Sequence, residues 1–219
     1  MPLVFAKLYA IMDATLLKTS ELACAEMLAQ AGLELIQYRN KTATSRQYLE
    51  TSRSLSALFH SHRIRFIVND RADISVLAGA DGVHVGQEDL GADCARAICG
   101  PQSWVGVSTH NLDQVRRAAA SSADYIAIGP IFATNTKANP DPVVGTKLIR
   151  AARAMTAKPI VAIGGITLER TEEVLASGAD SFAVAGDILC APDPGQRARE
   201  YLQRIQQQKI RSARNPDSV

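Results

Sequence analysis

The stretch FIVNDRADISVLAGADGVHVGQEDL, residues 66–90, contains two short apolar runs, each followed closely by a carboxylate. Asp70 follows the first run and Asp89 follows the second. Both faces of each run are largely apolar, which is typical of parallel strands that are covered by helices. The stretch therefore predicts two neighbouring buried strands with an acid at the carboxyl end of each.

The same alternation of apolar runs and amphipathic segments recurs along the chain. The other runs are LVFAKLYAIM (3–12), LELIQYR (33–39), WVGVS (104–108), YIAIGPI (125–131), PIVAIGG (159–165) and SFAVAG (181–186). The helical segments follow residues that are typical N-caps, namely Thr19, Ser20, Thr44, Ser45 and Asn111. Eight strands alternating with eight helices predict an α/β fold, a single (β/α)8 TIM barrel. The alternative, a doubly wound sheet, is disfavoured because no G-x-G-x-x-G follows the first strand.

Length and composition fit one globular domain. The chain has 219 residues, of which 47% are hydrophobic and 21% are charged, and a barrel of this type has roughly 200–250 residues. We assign residues 1–210 to the catalytic barrel. The basic residues near the end, such as Arg204 and Arg211, are interpreted as a solvated helix end, and residues 211–219 as a disordered C-terminal tail.

The composition also disfavours several classes of partner. The net charge is +2 without a basic block in the folded region, so we expect no nucleic-acid partner. The N-terminal run is interrupted by Lys7 and Asp13, and no run reaches the about 18 apolar residues of a membrane span, so we expect neither a signal peptide nor a membrane partner. The four cysteines lack C-x-x-C spacing, which predicts reduced, structural thiols in a cytoplasmic protein.

The active site of such a barrel lies at the C-terminal ends of the strands, so the residues after each strand are the candidate site residues. Strands 2 to 5 contribute Gln37, Arg39, Lys41, Asn69, Asp70, His84, Gln87, Asp89, Ser108, Thr109 and His110. Strand 6 leads into the loop FATNTKANPDPVVG (132–145), with Thr134, Thr136 and Lys137. Strands 7 and 8 end in Gly164–Gly165 and Ala185–Gly186.

The two acids suit a divalent cation. Asp70 and Asp89 offer the hard oxygen ligands that Mg²⁺ prefers, together with waters and phosphate oxygens. Helix capping is the alternative for either acid alone. Arg39, Lys41 and Lys137 beside the pair favour a magnesium diphosphate site, because guanidinium and ammonium groups bind phosphate oxygens.

The later strands predict a second phosphate site and a lid. Gly164–Gly165 and Ala185–Gly186 follow strands 7 and 8, where barrels commonly bind a monophosphate, although a glycine pair can also serve packing. The loop after strand 6 is long enough to exclude water as a lid, with a loop of no function as the alternative. His84 lies within a strand and is interpreted as a hydrogen-bonded structural histidine. We therefore expect two phosphorylated small-molecule substrates.

The motifs resemble, in the same order, those of the thiamine-phosphate synthase family. They are QYRNK (37–41), the stretch 66–90, VGVSTHN (105–111), DYIAIGPIFATNTK (124–137) and PIVAIGGIT (159–167). The resemblance covers nearly the whole barrel. It implies an Mg²⁺-assisted transferase of thiamine biosynthesis, which joins 4-amino-2-methyl-5-pyrimidinylmethyl diphosphate to hydroxyethylthiazole phosphate and releases diphosphate.

The resemblance also implies roles for individual residues. The pyrimidine diphosphate would be bound by Gln37, Tyr38, Arg39, Asn40, Lys41, Asn69, Ser108 and Lys137, of which Arg39, Lys41, Ser108 and Lys137 would be catalytic. Asp70 and Asp89 would carry Mg²⁺. The thiazole phosphate would be bound by Thr134, Asn135, Thr136, Gly165, Ala185 and Gly186. The family usually has serine where this chain has Gly186, so one hydroxyl donor is missing.

Two other functions remain as alternatives. A thiazole tautomerase is a sister barrel that isomerises the thiazole without coupling, and a catalytically silent barrel would only bind phosphate. The retained charged set argues against both, because neither function needs a diphosphate site; it consists of Asp70, Asp89, Arg39, Lys41 and Lys137. The sequence leaves the oligomeric state open, and a homo-oligomer is compatible with it.

Overall fold

The apolar runs form strands because β-branched and aromatic side chains pack well on a pleated surface. In this computed structural model, which describes residues 5–134 and 141–214, they are β1 (Leu8–Asp13), β2 (Leu35–Arg39), β3 (Arg65–Asn69), β4 (Gly82–Val85), β5 (Trp104–Thr109), β6 (Tyr125–Ile128), β7 (Ile160–Ile163) and β8 (Ser181–Val184). Each strand pairs in parallel with the next, and β8 pairs with β1. The sheet is a closed barrel, and the predicted fold is confirmed.

The amphipathic segments form helices outside the barrel. They are α1 (Glu21–Gln30), α2 (Ser45–Ser61), α3 (Ala72–Ala78), α4 (Ala92–Cys99), α5 (Leu112–Ala120), α6 (Gly145–Arg153), α7 (Thr171–Ala176), α8 (Gly186–Leu189) and α9 (Pro194–Arg214). The predicted N-caps Ser20, Thr44 and Asn111 are confirmed, since each side chain accepts a backbone N–H of the first turn. Such caps stabilise a helix end by about 1 kcal/mol.

The last helix corrects one predicted boundary. α9 continues past residue 210 to Arg214, so residues 211–214 are helical and do not belong to a disordered tail. The remainder of that predicted tail, residues 215–219, lies outside the described residues. Among the helices of the described ranges, none combines the length and apolarity needed to cross a membrane.

The core has two parts because the strands are apolar on both faces. The outer faces pack against the helices through residues such as Met12, Tyr38, Phe59, Phe66 and Phe182. The inner faces fill the barrel through Tyr9, Ile11, Leu35, Ile67, Trp104, Tyr125, Ala127, Val161 and Ala183. The barrel interior is therefore a packed core that supports the strand ends above it. All four cysteines are unpaired, as predicted, although Cys94 and Cys190 are exposed and have no structural role in this core.

Candidate active site

Polar side chains from β1 to β5 come together at the carboxyl end of the barrel. The strand register places Asp13 opposite Arg39, and Asn69 opposite His84. Asp70 follows β3 directly. Since all the strands run in one direction, residues far apart in the sequence share this end of the barrel.

Asp70 and Asp89 lie close enough for Asp89 to raise the pKa of the Asp70 carboxyl. Burial and the contact with Asp89 raise the pKa of Asp70, while Lys41 lowers it. The Lys41 Nζ lies 3.0 Å from Asp70 Oδ2. Two acids this close repel each other when both are ionised, so a cation shared between them would stabilise the pair.

The backbone at Asp70 adopts a conformation that is unusual for this residue type. Its φ is 63°, in the left-handed region that costs a non-glycine residue of order 1–3 kcal/mol. The Asp70 N–H donates to the carbonyl oxygen of His84 at 2.7 Å. This bond holds the turn and aims the carboxylate at the neighbouring strand end.

Neither acid caps a helix, so the capping interpretation is wrong. The N-cap residues of α3 and α4 are Arg71 and Gly91, and neither makes a side-chain capping bond. Asp89 Oδ2 instead accepts the Gly86 N–H at 2.8 Å. Within residues 5–134 and 141–214, no group of three or more His, Cys, Asp or Glu side chains could hold a metal ion. A cation at Asp70 and Asp89 would therefore take its other ligands from water and substrate, as Mg²⁺ commonly does.

Asp13 is a site residue that the sequence reasoning missed. It ends β1 and forms an ion pair with Arg39, and the two side chains are 1% and 18% exposed. The other carboxylate oxygen, Oδ1, accepts the backbone N–H and the hydroxyl of Thr15 at 3.0 and 2.7 Å. The carboxylate is thus fixed, and it fixes the guanidinium in turn. The signal available in the sequence was an acid at the end of the first strand; its register with Arg39 is known only from the strand pairing.

His84 and Ser108 are in contact across β4 and β5. The distance between His84 Nε2 and Ser108 Oγ is 2.9 Å, and His84 Nδ1 lies 3.1 Å from Tyr125 Oη. The prediction that His84 is a hydrogen-bonded, buried histidine is confirmed. Gln87 Nε2 donates to the backbone carbonyl of Ser108 at 2.6 Å, which links the turn after β4 to the end of β5.

Two predicted binding residues, one on β2 and one just after it, have side chains that are engaged elsewhere. Tyr38 is fully buried between the barrel and the helices, and its hydroxyl donates to Glu21 Oε1 at 3.2 Å. The side-chain oxygen of Asn40 accepts the N–H groups of Thr42 and Ala43 at 3.1 and 3.0 Å. These side chains shape the turn after β2, which leaves only their backbone groups for ligand binding.

Thr109 and His110 bind the backbone of the following unit. Thr109 Oγ1 donates to the carbonyl of Ala127 at 2.9 Å, and His110 Nδ1 lies 2.6 Å from the carbonyl oxygen of Gly129. His110 Nε2 also lies 3.5 Å from Asp141 Oδ2, at the far end of the loop after β6. These contacts connect β5 to the base of that loop.

The turn after β7 packs against the start of the same loop. Gly165 has φ 63°, and a Cβ added there would lie 2.3 Å from the carbonyl oxygen of Ala133. Arg170, another residue that the sequence reasoning missed, donates to the carbonyl of Gly165 at 2.6 Å and lies 4.4 Å above the ring of Phe132. Glycine is therefore required here for packing, whether or not its N–H also binds phosphate.

The remaining predicted residues belong to the loop after β6 and the turn after β8. Thr134 is half-buried and precedes the loop residues Asn135, Thr136 and Lys137, which lie outside the described residues, so their roles stay predictions. Ala185 is the N-cap of α8, and Gly186 is its first residue.

Comparisons with known proteins point to one family. A family model described as thiamine monophosphate synthase matches residues 8–188. A thiamine-phosphate synthase of Koribacter versatilis is 48% identical over 202 residues, which cover 90% of this chain and 94% of the relative. A longer one from Thermosynechococcus vestitus is 43% identical over 202 residues, which cover 92% of this chain but 56% of the relative. The solved thiamine phosphate pyrophosphorylase of Pyrococcus furiosus is 31% identical with a TM-score of 0.83, covering 92% of this chain and 96% of that one.

Proposed function

Because the chain belongs to the thiamine monophosphate synthase family of transferases, we propose that it couples 4-amino-2-methyl-5-pyrimidinylmethyl diphosphate to hydroxyethylthiazole phosphate. The products would be thiamine phosphate and diphosphate. The setting would be thiamine biosynthesis in the cytoplasm.

The proximity of Asp70 and Asp89, with Lys41 beside them, carries this proposal. Two neighbouring carboxylates and an ammonium group 3.0 Å from one of them suit a ligand that brings both a cation and phosphate oxygens. The carboxylate pair fits Mg²⁺, whose preferred ligands are oxygens. Bound Mg²⁺ would act as a Lewis acid on the diphosphate and neutralise part of its charge.

The basic side chains would stabilise the diphosphate as it departs. Asp13 holds one edge of the Arg39 guanidinium, and the remaining N–H groups would donate to phosphate oxygens. Lys41 would act as a flexible point charge on the same group. Lys137 would approach from the loop after β6 when that loop closes over the substrates. Stabilising charge where it develops is usually the largest single contribution to catalysis.

The reaction needs no general base. The bond between the pyrimidine methylene and the diphosphate oxygen breaks, and the aminopyrimidine ring donates electrons to the developing methylene cation. The lone pair of the thiazole nitrogen then forms the new carbon–nitrogen bond, and this nitrogen carries no proton to remove. Gln37, Asn69 and Ser108 would orient the pyrimidine, and alignment of the two reactants supplies much of the remaining rate.

The thiazole phosphate would bind at the ends of β6 to β8. Its phosphate would receive backbone N–H groups from Gly165, Ala185 and Gly186, with threonine hydroxyls from the loop. Glycine permits the close approach that such bonds require. The missing serine at position 186 leaves this phosphate with fewer donors than the family usually provides.

Product formation by the purified full-length protein tests the proposal. Both substrates are supplied with Mg²⁺, or with EDTA in excess, and thiamine phosphate is measured after oxidation to fluorescent thiochrome. We expect product with Mg²⁺ and none with EDTA, with recovery after Mg²⁺ is restored. Binding of the thiazole phosphate without product would instead support the tautomerase or the silent barrel.

A further inference from the structure

A series of hydrogen bonds crosses the barrel interior and joins two predicted substrate-binding residues. Gln37 Nε2 lies 2.7 Å from Tyr9 Oη, which lies 3.0 Å from Tyr125 Oη. Tyr125 Oη lies 3.1 Å from His84 Nδ1, and His84 Nε2 lies 2.9 Å from Ser108 Oγ. These five side chains, which we call the interior network, come from β2, β1, β6, β4 and β5.

The network is buried except at its last member. Gln37, Tyr9, Tyr125 and His84 are each less than a tenth exposed, whereas Ser108 is half-buried at the strand ends. A buried polar group without a partner costs about 1–3 kcal/mol. Burial also raises the pKa of both tyrosines, so each hydroxyl keeps the single proton that it can donate.

The amide at one end sets the direction of every bond. The nitrogen of Gln37 can only donate, so Tyr9 Oη accepts that bond and gives its own proton to Tyr125. Tyr125 in turn donates to Nδ1 of His84, which must be unprotonated. A neutral imidazole then carries its proton on Nε2, and this N–H donates to Ser108 Oγ.

A glycine on β5 makes room for the network. Gly106 lies beside His84 in one strand pairing and beside Tyr125 in the other. A Cβ at this position would lie 2.0 Å from Cζ and 2.4 Å from Oη of Tyr125. The rings of His84 and Tyr125 stack with centroids 5.5 Å apart. Tyr125 reaches across the barrel because β5 has no side chain in its path.

We propose that His84 is a positioning residue, which the interior network holds as the Nε2–H tautomer. By donating this N–H to Ser108 Oγ, His84 directs the hydroxyl proton of Ser108 toward the bound pyrimidine diphosphate. Ser108 Oγ accepts from His84, so its own O–H remains for a substrate oxygen or nitrogen. The role of Ser108 rests on the proposed function. The tautomer of His84 does not, since it follows from the network alone.

Ring ¹⁵N NMR of the histidines in the full-length protein measures the tautomer directly. The His84 signals are assigned by their loss in His84→Gln, and we expect protonation at Nε2 in the wild type. In Tyr125→Phe the donor to Nδ1 is lost, so both tautomers become populated and the two ¹⁵N shifts move toward each other. Tyr201→Phe is the control, because it removes a buried hydroxyl that contacts Asp187 outside the network, and it should leave the His84 signals unchanged.

Steady-state kinetics test the consequence for Ser108. We expect Tyr125→Phe to lower kcat roughly 10-fold, less than the loss of a whole donor at the reacting group. His84→Gln keeps an amide donor in place of Nε2 and should retain more activity than His84→Leu.

Three results would overturn the proposal. The first is an Nδ1–H tautomer of His84 in the wild type, and the second is unchanged His84 signals in folded Tyr125→Phe. The third is an equal loss of kcat in the two His84 variants, which would overturn the positioning role of His84. The Nε2–H tautomer in a protein that makes no thiamine phosphate would support the network and refute only the proposed function.

Discussion

Replacing Asp13 by asparagine tests how the structure holds Arg39 at the strand ends. Asparagine has the shape of aspartate, so its Oδ1 can keep the bonds from Thr15, now 3.0 and 2.7 Å long. Its amide nitrogen would face the guanidinium, and both groups can only donate. Arg39 therefore loses its buried acceptor, although the volume of the site is unchanged.

The size of the effect follows from the burial of the two side chains. Removing one partner of a buried ion pair costs about 3–5 kcal/mol, because the other charge is left without compensation. Asp13 is 1% exposed, but Arg39 is 18% exposed and can reach water. We therefore expect the lower end of that range, a loss of about 3 kcal/mol in the free energy of unfolding.

Urea unfolding of the wild type, Asp13→Asn, Arg39→Gln and the double variant measures this as a double-mutant cycle. We expect a coupling energy of about 2 kcal/mol between the two positions. Inorganic diphosphate with Mg²⁺ should stabilise the wild type more than Arg39→Gln, because binding to the folded state raises stability. Asp113→Asn, at the exposed start of α5, is the matched control and should unfold like the wild type.

A coupling energy near zero, with both single variants folded, would refute the reasoning that Asp13 holds Arg39. A coupling energy of about 2 kcal/mol without any stabilisation by diphosphate would support the ion pair between Asp13 and Arg39. It would contradict the assignment of Arg39 to the diphosphate site.

Three further variants test other parts of the site. Asp70→Asn should lower kcat about 10²–10³-fold in a folded protein, with Asp113→Asn active, and near-normal turnover would contradict the cation site. Gly165→Ala should destabilise the protein by about 1–3 kcal/mol in thermal unfolding, because its Cβ meets the Ala133 carbonyl oxygen at 2.3 Å; an unchanged Tm would contradict the packing argument. Gly186→Ser should lower KM for the thiazole phosphate roughly 5-fold through one added hydrogen bond, and an unchanged KM would place that phosphate elsewhere.

The barrel could be predicted because its strands carry a local signal. The runs around β3 and β4 are apolar on both faces, and each is followed by an acid at the strand end. Asp70 and Asp89 could therefore be placed together without knowing how the strands pair. Parallel direction alone brings the ends of neighbouring strands to the same side of the sheet.

Features that depend on the register between strands could not be predicted in this way. Asp13 meets Arg39 because the two lie opposite each other in the pairing of β1 with β2. Tyr9 and Tyr125 touch although they are 116 positions apart in the chain. The sequence around Gly106 does not indicate that the ring of Tyr125 occupies the space that a side chain at this position would fill. The periodicity of apolar residues describes each strand by itself. To predict these contacts, one must also know how the strands are staggered around the barrel.

The alternation of side chains between the two faces of β2 explains why part of the predicted set of binding residues does not face the site. Gln37 and Arg39 point toward the barrel interior and the strand end, whereas Tyr38 between them points toward the helices. A motif read as a continuous block places all of its side chains in the site. The period of two along a strand divides the block between the two faces.

Closure of the barrel has a consequence for synthesis on the ribosome. The carbonyl of Lys7, just before β1, accepts the hydroxyl of Ser181, 174 positions later, and the N–H of Phe182. At a synthesis rate of about 5–20 residues per second, roughly 9–35 s pass between the synthesis of β1 and that of β8. During that interval the open edge of β1, with apolar residues on both faces, can pair with other nascent chains. Protection by chaperones is thus most needed by the growing polypeptide, before its last strand has been made.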